Sequence, residues 1–175
     1  MTSHVTERVV RSGAELRRAY GGGSTPLASY LAITAGYVGT VAALLGVARR
    51  TGRRLPDRVS AGDVVLLSAA TFRLSRLITK DAVTSTLRSP FTRFQEAAGE
   101  GEVNERPRGH GLRHATGELV SCPFCASVWT VTGLTAGLAF APRLTRWVAA
   151  GASSLAASDF LQLAYARMRH VANAE

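Results

Sequence analysis

Two cysteines and two histidines lie close together in the sequence and carry donor atoms suited to metal binding or thiol chemistry. Cys122 and Cys125 form a Cys-x-x-Cys pair, which His110 and His114 precede. Two thiolates and two imidazoles suit tetrahedral zinc, although the order of the ligands differs from that of a zinc finger. A thioredoxin-like strand–helix–strand pattern is absent. Three hypotheses stay open: a zinc site, thiol redox chemistry, and two small apolar side chains packed where a helix enters a membrane.

The residues around the pair predict that it lies in the first turn of a helix. Ser121 can cap such a helix, and Pro123 suits its first position because proline lacks an amide hydrogen there. The positive end of the helix dipole would favour a thiolate on Cys122.

A basic stripe is the second candidate site. Arg73, Arg76 and Lys80 follow one another at intervals of three and four residues and therefore share a helical face. They can bind anionic lipid headgroups or a partner, or the two arginines can pair with Asp159 inside a helical bundle. A solvated interfacial face is the alternative.

Apolar segments must position these residues. Residues 27–48 and 119–141 carry no charge and are long enough to cross a bilayer. Residues 147–165 are also apolar and contain one charged residue, Asp159. Residues 60–80 begin with a helix-capping pattern, but their arginines bring the free energy of insertion close to zero. We expect that segment to lie at the interface or to pack inside the bundle. The fold class predicted is all-α, a small integral membrane bundle of three or four apolar helices.

The remaining segments are polar. Residues 1–26 are basic and glycine-rich near their end, which predicts a flexible tail carrying Arg8, Arg11, Arg17 and Arg18. The membrane domain then comprises residues 27–175, with residues 81–118 as a solvated loop holding at most one short helix. The pattern Gly133-x-x-x-Gly137 predicts close helix packing, within the chain or between copies in a homo-oligomer.

Composition narrows the partners. The chain has 21 Lys and Arg residues against 12 Asp and Glu, and its formal net charge is +9. The arginines flank apolar segments and do not alternate with aromatic residues, so we expect a lipid bilayer and anionic lipid as partners and not nucleic acid.

The distribution of Lys and Arg predicts the topology. If residues 60–80 do not span, one side holds fifteen basic residues and the other six; if they do, the counts are twelve and seven. The positive-inside rule places the more basic side in the cytoplasm. Both arrangements make the cysteine pair, residues 81–118 and the C-terminus cytoplasmic. We therefore expect a multi-pass protein of the bacterial cytoplasmic membrane.

Three stretches carry a resemblance to a known family. Residues 73–81 (RLSRLITKD), 87–91 (LRSPF) and 117–129 (GELVSCPFCASVW) resemble the bacterial membrane family known as domain of unknown function 1360. The resemblance covers roughly residues 60–145. It implies a small multi-pass protein with a sporulation-associated relative, and it implies no reaction.

These observations predict a non-enzymatic membrane protein or partner-docking component. The alternative is a cytoplasm-facing metal-binding or thiol-redox membrane protein that uses Cys122 and Cys125. A transporter subunit is a third hypothesis, and only the acidic residue at position 159 suggests it.

Overall fold

The computed structural model describes residues 27–53 and 60–173. The predicted flexible tail, residues 1–26, lies outside the described residues. The described part is largely helical, and its one sheet has two strands. In chain order its elements are α1 (Leu27–Arg50), α2 (Ala61–Thr79), a 3-10 turn (Ala82–Thr84), α3 (Ser85–Arg88), β1 (Thr92–Gly99), β2 (Glu102–Pro107), α4 (Gly111–Ser121), α5 (Pro123–Phe140) and α6 (Pro142–Ala172).

The prediction of three or four apolar membrane helices is corrected to two. Among the described residues, α1 and α5 alone are long and apolar enough to cross a membrane. The third predicted apolar segment, residues 147–165, is part of α6, where serines, Gln162 and Asp159 lower the mean hydropathy. Few residues of either apolar helix are fully buried: Ala48 in α1, and Ala126 and Leu134 in α5.

Helix α2 begins where the capping pattern predicts. The Ser60 hydroxyl accepts a hydrogen bond from the Asp63 amide at 3.0 Å, which satisfies one of the free donors of the first turn. The helix packs between α5 and α6. Its expected position inside the bundle is therefore confirmed.

The helices run alternately between two ends of the bundle. At one end, Arg146 at the start of α6 binds Asp63 at the start of α2. At the other end, which we call the hairpin end, α2 finishes and α1 and α5 begin, so that Tyr30 reaches Glu118. The axes of α1 and α5 therefore point away from the hairpin end, and those of α2 and α6 point towards it.

The core is small and built from small residues. Ala70 and Ala149 are completely buried between α2 and α6, together with Leu67, Leu134 and Ala152. Helices approach closely where both carry small side chains, and van der Waals packing then replaces a core of large residues.

The all-α prediction is wrong in one respect, because residues 81–118 are not a solvated loop. They fold into an antiparallel hairpin of β1 and β2, followed by α4. Gly99 and Gly101 turn the chain with φ angles of 152° and 77°, which glycine adopts without strain. Gly117 of α4 lies so close to the hairpin that an added Cβ would be 2.5 Å from the Phe91 carbonyl oxygen.

Candidate functional site

The charged site lies where the hairpin meets the C-terminal half of α2, and we call it the hairpin junction (residues 73–92 and 102–105). Arg73 donates two hydrogen bonds to Asp81, at 2.9 and 3.3 Å. Its Nε also lies 2.9 Å from the Asp159 carboxylate, a charge contact that lacks hydrogen-bond geometry. Arg73 thus joins the chain after α2 to the middle of α6.

The other two residues of the predicted basic stripe bind the hairpin. Arg76 donates two hydrogen bonds to the Glu102 carboxylate in a bidentate ion pair, with N–O distances of 2.9 and 2.5 Å. Lys80 Nζ donates to the Asn104 side-chain oxygen at 3.1 Å. The stripe on α2 therefore contacts carboxylate and amide oxygens of β2. Arg76 pairs with Glu102 and not with Asp159.

Arg88 forms a buried ion pair that sequence reasoning missed. Its side chain is 2% exposed and that of its partner, Glu105, is 4% exposed. Two of its five N–H donors bind the carboxylate, at 2.9 and 3.1 Å. The other three reach the carbonyl oxygens of Ile78 and Asp81 and the hydroxyl of Thr84. Every donor of this guanidinium is used, which is the condition for burying an arginine without a large penalty.

Glu105 is correspondingly held in its charged form. Burial alone would raise the pKa of its carboxyl group. Hydrogen bonds from Arg88 and Thr92, together with the positive charge of Arg88, outweigh burial and lower the pKa below its ordinary value. The pair is therefore charged at neutral pH.

Backbone hydrogen bonds fix the hairpin in the same place. The amide of Val103 donates to the Lys80 carbonyl oxygen at 2.9 Å, and that of Ala82 donates to the Gly101 carbonyl oxygen at 2.8 Å. With the ion pairs, these bonds attach the hairpin to the C-terminal end of α2.

The cysteine pair lies at the predicted helix start. Cys122, and not Ser121, is the N-cap of α5, and its sulfur accepts a hydrogen bond from the Cys125 amide at 3.3 Å. Pro123 occupies the first turn as predicted. Both thiols are free; Cys122 is half-buried and Cys125 is exposed.

The predicted metal ligands do not form one group. His110 is the N-cap residue of α4, and His114 contacts Glu118 at 3.6 Å, on the helix turn before the cysteines. Within the described ranges, no three His, Cys, Asp or Glu side chains lie together in a way that could hold a metal ion. A zinc site formed by the four residues stays a prediction.

The two glycines of the predicted packing motif have different surroundings. A Cβ on Gly137 would lie 2.5 Å from the Thr145 hydroxyl oxygen, so this glycine allows α6 to approach α5 within the chain. Gly133 faces open space, at the edge of an apolar groove between α2 and α5. Packing between copies through Gly133 also stays a prediction.

The sequence carried some signal for the missed residues. Gly99-Glu100-Gly101 is a turn pattern, and it marks a hairpin when flanked by two short segments. Nothing local pairs Arg88 with Glu105, because they are seventeen residues apart and the segment between them is polar.

The fold and the hairpin junction define a largely helical protein with two candidate membrane helices and a charged hairpin at one end. The chain belongs to the family described as Protein of unknown function (DUF1360), whose model matches residues 66–165. The family resemblance is thereby confirmed, and the matched region runs from α2 through most of α6.

Two relatives from Bacillus subtilis (strain 168) are similar to the chain. Sporulation protein YjcA is 39% identical over 88 residues, which cover 49% of this chain and 75% of the relative. UPF0713 protein YngL is 31% identical over 91 residues, which cover 50% of this chain and 66% of the relative. No solved structure matches the chain.

Proposed function

We propose that this protein is a non-enzymatic docking component of the bacterial cytoplasmic membrane. A helical bundle crosses the bilayer and holds a rigid, charged hairpin at its cytoplasmic surface, where a partner binds. The observation that carries the proposal is the direction of the side chains: small ones predominate in the core, and many large apolar ones face outward.

The contrast between the two faces is large. Ala70 and Ala149 are 0% exposed, whereas Val65 on α2 and Leu161 on α6 are 69% and 71% exposed. A water-soluble domain would place the large residues inside, because burial of apolar area drives its folding. Lipid surroundings remove that driving force and leave close packing of small residues as the reason for helix association.

The two apolar helices support the same proposal. One residue of α1, Ala48, and two residues of α5, Ala126 and Leu134, are fully buried inside the protein. A core helix of a soluble protein of this length would be largely covered. These helices instead present their apolar surface outward, as a lipid-facing helix does.

Helices α2 and α6 are less apolar than a membrane span, but we infer that they cross with α1 and α5, because both of those helices begin at the hairpin end and the chain must return between them. Nineteen residues give α2 a length of about 28 Å, close to the thickness of the hydrocarbon core. The cost of Arg73 within that thickness is offset by its contacts with Asp81 and Asp159, because intramembrane charges are tolerated when they pair. This pairing gives Asp159 a structural role, and the transporter hypothesis then loses its only support.

The orientation follows from the basic residues. With four crossings, residues 1–26, the hairpin and the C-terminus share one side of the membrane. That side carries twelve Lys and Arg residues, and the other side carries seven. The positive-inside rule therefore favours a cytoplasmic hairpin.

The hairpin itself suits docking. Strand β1 is exposed along almost its whole length, and Phe94 is 66% exposed on it. An unpaired strand edge can accept an extended segment of a partner. Similarity to sporulation protein YjcA supports a role in sporulation where the host forms spores.

Membrane extraction tests the proposal. The full chain is expressed in a bacterial host, and the membrane fraction is washed with sodium carbonate at high pH, which releases peripheral proteins. We expect the chain to stay in the pellet and to be released only by detergent. Recovery in the soluble or carbonate fraction would overturn the proposal.

A second candidate is thiol redox chemistry at Cys122 and Cys125, which lie in one helix turn, whereas no three His, Cys, Asp or Glu side chains of the described residues lie together. The Cys122 sulfur, which caps α5, accepts a hydrogen bond from the Cys125 amide. His110 caps the start of α4, and His114 lies within that helix. Oxidation would convert the two thiols to one disulfide with release of two protons and two electrons, which a partner disulfide would accept. Metal analysis and thiol counting of the purified protein separate the two ideas: about one zinc per chain supports a metal site, and a reversible loss of two thiols in a glutathione redox buffer supports redox chemistry.

A further inference from the structure

We propose that the end of the bundle opposite the hairpin binds the headgroups of acidic phospholipids through a cluster of arginines. The inference rests on the proposed membrane location and adds a lipid class and a site to it. We call this region the arginine end; its described members are Arg49, Arg50, Arg53, Arg143 and Arg146, all exposed.

The end of α1 and the start of α6 bring these residues to one end of the bundle. Helix α1 finishes at Arg50, and Ala48 shares an apolar groove with Phe140 at the end of α5. Helix α6 begins immediately afterwards, and its Arg146 reaches the first turn of α2. Arginines distant in sequence therefore lie at the same end of the bundle.

Acidic side chains are almost absent among the described residues at this end. In the described ranges 27–53, 60–72 and 123–158, the one carboxylate is Asp63, which binds Arg146 at 3.1 Å. At the hairpin end, by contrast, Arg73, Arg76 and Arg88 each bind a carboxylate of this chain. These three arginines of the hairpin junction are thus neutralised by this chain, whereas Arg146 is the one described arginine of the arginine end that binds a described carboxylate.

Stabilisation of the helices does not account for the whole cluster. Arg49 and Arg50 lie at the C-terminus of α1, where the helix dipole favours positive charge. Arg143 and Arg146 lie among the first five residues of α6, where the dipole disfavours it. Asp63 balances the charge of Arg146, so Arg143 is the residue of α6 whose position an anion from outside explains.

The apolar side chains beside the arginines indicate that this anion belongs to a lipid. Leu144 is 66% exposed and Trp147 is 79% exposed on the first two turns of α6. A tryptophan next to arginines at the end of an apolar bundle is typical of the headgroup level of a membrane. A guanidinium matches a phosphate with two parallel hydrogen bonds, so a phospholipid with net negative charge meets both requirements.

The lipid site proposed here lies at the opposite end of the bundle from the basic stripe predicted from the sequence. Arg73, Arg76 and Lys80 have the spacing for an anionic lipid, but their side chains contact Asp81, Glu102 and Asn104. A headgroup would have to displace those contacts, whereas it would meet few competitors at the arginine end.

Lipid enrichment measures the effect. The full-length protein is reconstituted in nanodiscs from detergent containing equal amounts of phosphatidylglycerol and phosphatidylcholine, and native mass spectrometry counts the lipids that stay bound. The test variant is Arg49→Gln with Arg143→Gln. The matched control is Arg93→Gln with Arg106→Gln, which removes the same charge from exposed positions on the hairpin.

We expect the wild type and the control to retain phosphatidylglycerol preferentially. The test variant should lose about fivefold in preference per arginine removed, because a basic residue near an anionic surface contributes that much. Unchanged retention in the test variant, or an equal loss in the control, would overturn the inference. Displacement of the lipid by millimolar inorganic phosphate would also overturn it, since that would define a phosphate site. A protein that stays in carbonate-washed membranes without any lipid preference refutes this inference alone.

Discussion

The buried ion pair of Arg88 and Glu105 allows a quantitative prediction about the hairpin. Replacing Glu105 with glutamine keeps the shape and one hydrogen-bond acceptor but removes the negative charge. The guanidinium, whose side chain is 2% exposed, would then remain charged and buried without its counter-ion. Breaking a buried pair in this way costs about 3–5 kcal/mol.

Amide hydrogen exchange gives a local measure of that cost. The Val103 amide, which donates to the Lys80 carbonyl oxygen, is protected only while the hairpin is docked. A loss of about 3 kcal/mol corresponds to a more than hundredfold rise in the exchange rate, since each 1.4 kcal/mol is a factor of ten.

A matched control is available in the same strand. Glu102→Gln breaks the contact with Arg76, whose side chain is 36% exposed, so its cost should be about 1 kcal/mol or less. Equal effects of the two substitutions would refute the reasoning that burial makes the Arg88 pair the more critical one. Replacing both partners, as Arg88→Met with Glu105→Leu, should recover part of the loss because no charge is then stranded.

Three further predictions follow from charge and packing. Because the pKa of Glu105 is lowered, its contribution to stability should be complete above its unfolded-state pKa and should disappear as the pH falls through the folded value, which an acid titration of hairpin exchange rates measures. Gly117→Ala should lower the free energy of unfolding by about 1–3 kcal/mol, because the new methyl group meets a backbone carbonyl oxygen, whereas Gly39→Ala, in open space, should not. Gly137→Leu should destabilise the single chain through a clash with Thr145, whereas Gly133→Leu should leave folding intact and reduce cross-linking between copies; an unaffected cross-linking yield would refute packing through Gly133.

The positions of the helices could be predicted from the sequence, because they depend on the pattern of neighbouring residues. The uncharged segments at residues 27–48 and 119–141 mark α1 and α5, and the capping pattern at Ser60 marks the start of α2 within one residue. Helix α5 begins slightly later than predicted, because residues 119–121 complete α4. These features depend on neighbouring residues only.

The hairpin was missed because distant contacts form it. Strand β1 contains charged and small residues without an apolar alternation, so it has no strand signal of its own. The hairpin is held by two ion pairs, Arg76 with Glu102 and Arg88 with Glu105. Their partners are twenty-six and seventeen positions apart in the sequence. The same reason explains the candidate site: the spacing of Arg73 and Arg76 showed a common face but not which acid each binds.

The central claim, a bundle that crosses the membrane with the hairpin in the cytoplasm, is tested most directly by labelling single cysteines. Two variants are compared in intact spheroplasts with a membrane-impermeant maleimide: one retains Cys125 with Cys122→Ser, and the other lacks both native thiols and carries Thr51→Cys at the arginine end. We predict that Thr51→Cys is labelled at once and that Cys125 is labelled only after the membrane is permeabilised. Labelling of Cys125 in intact spheroplasts, with Thr51→Cys protected, would contradict the orientation, and labelling of both only after lysis would contradict the crossing.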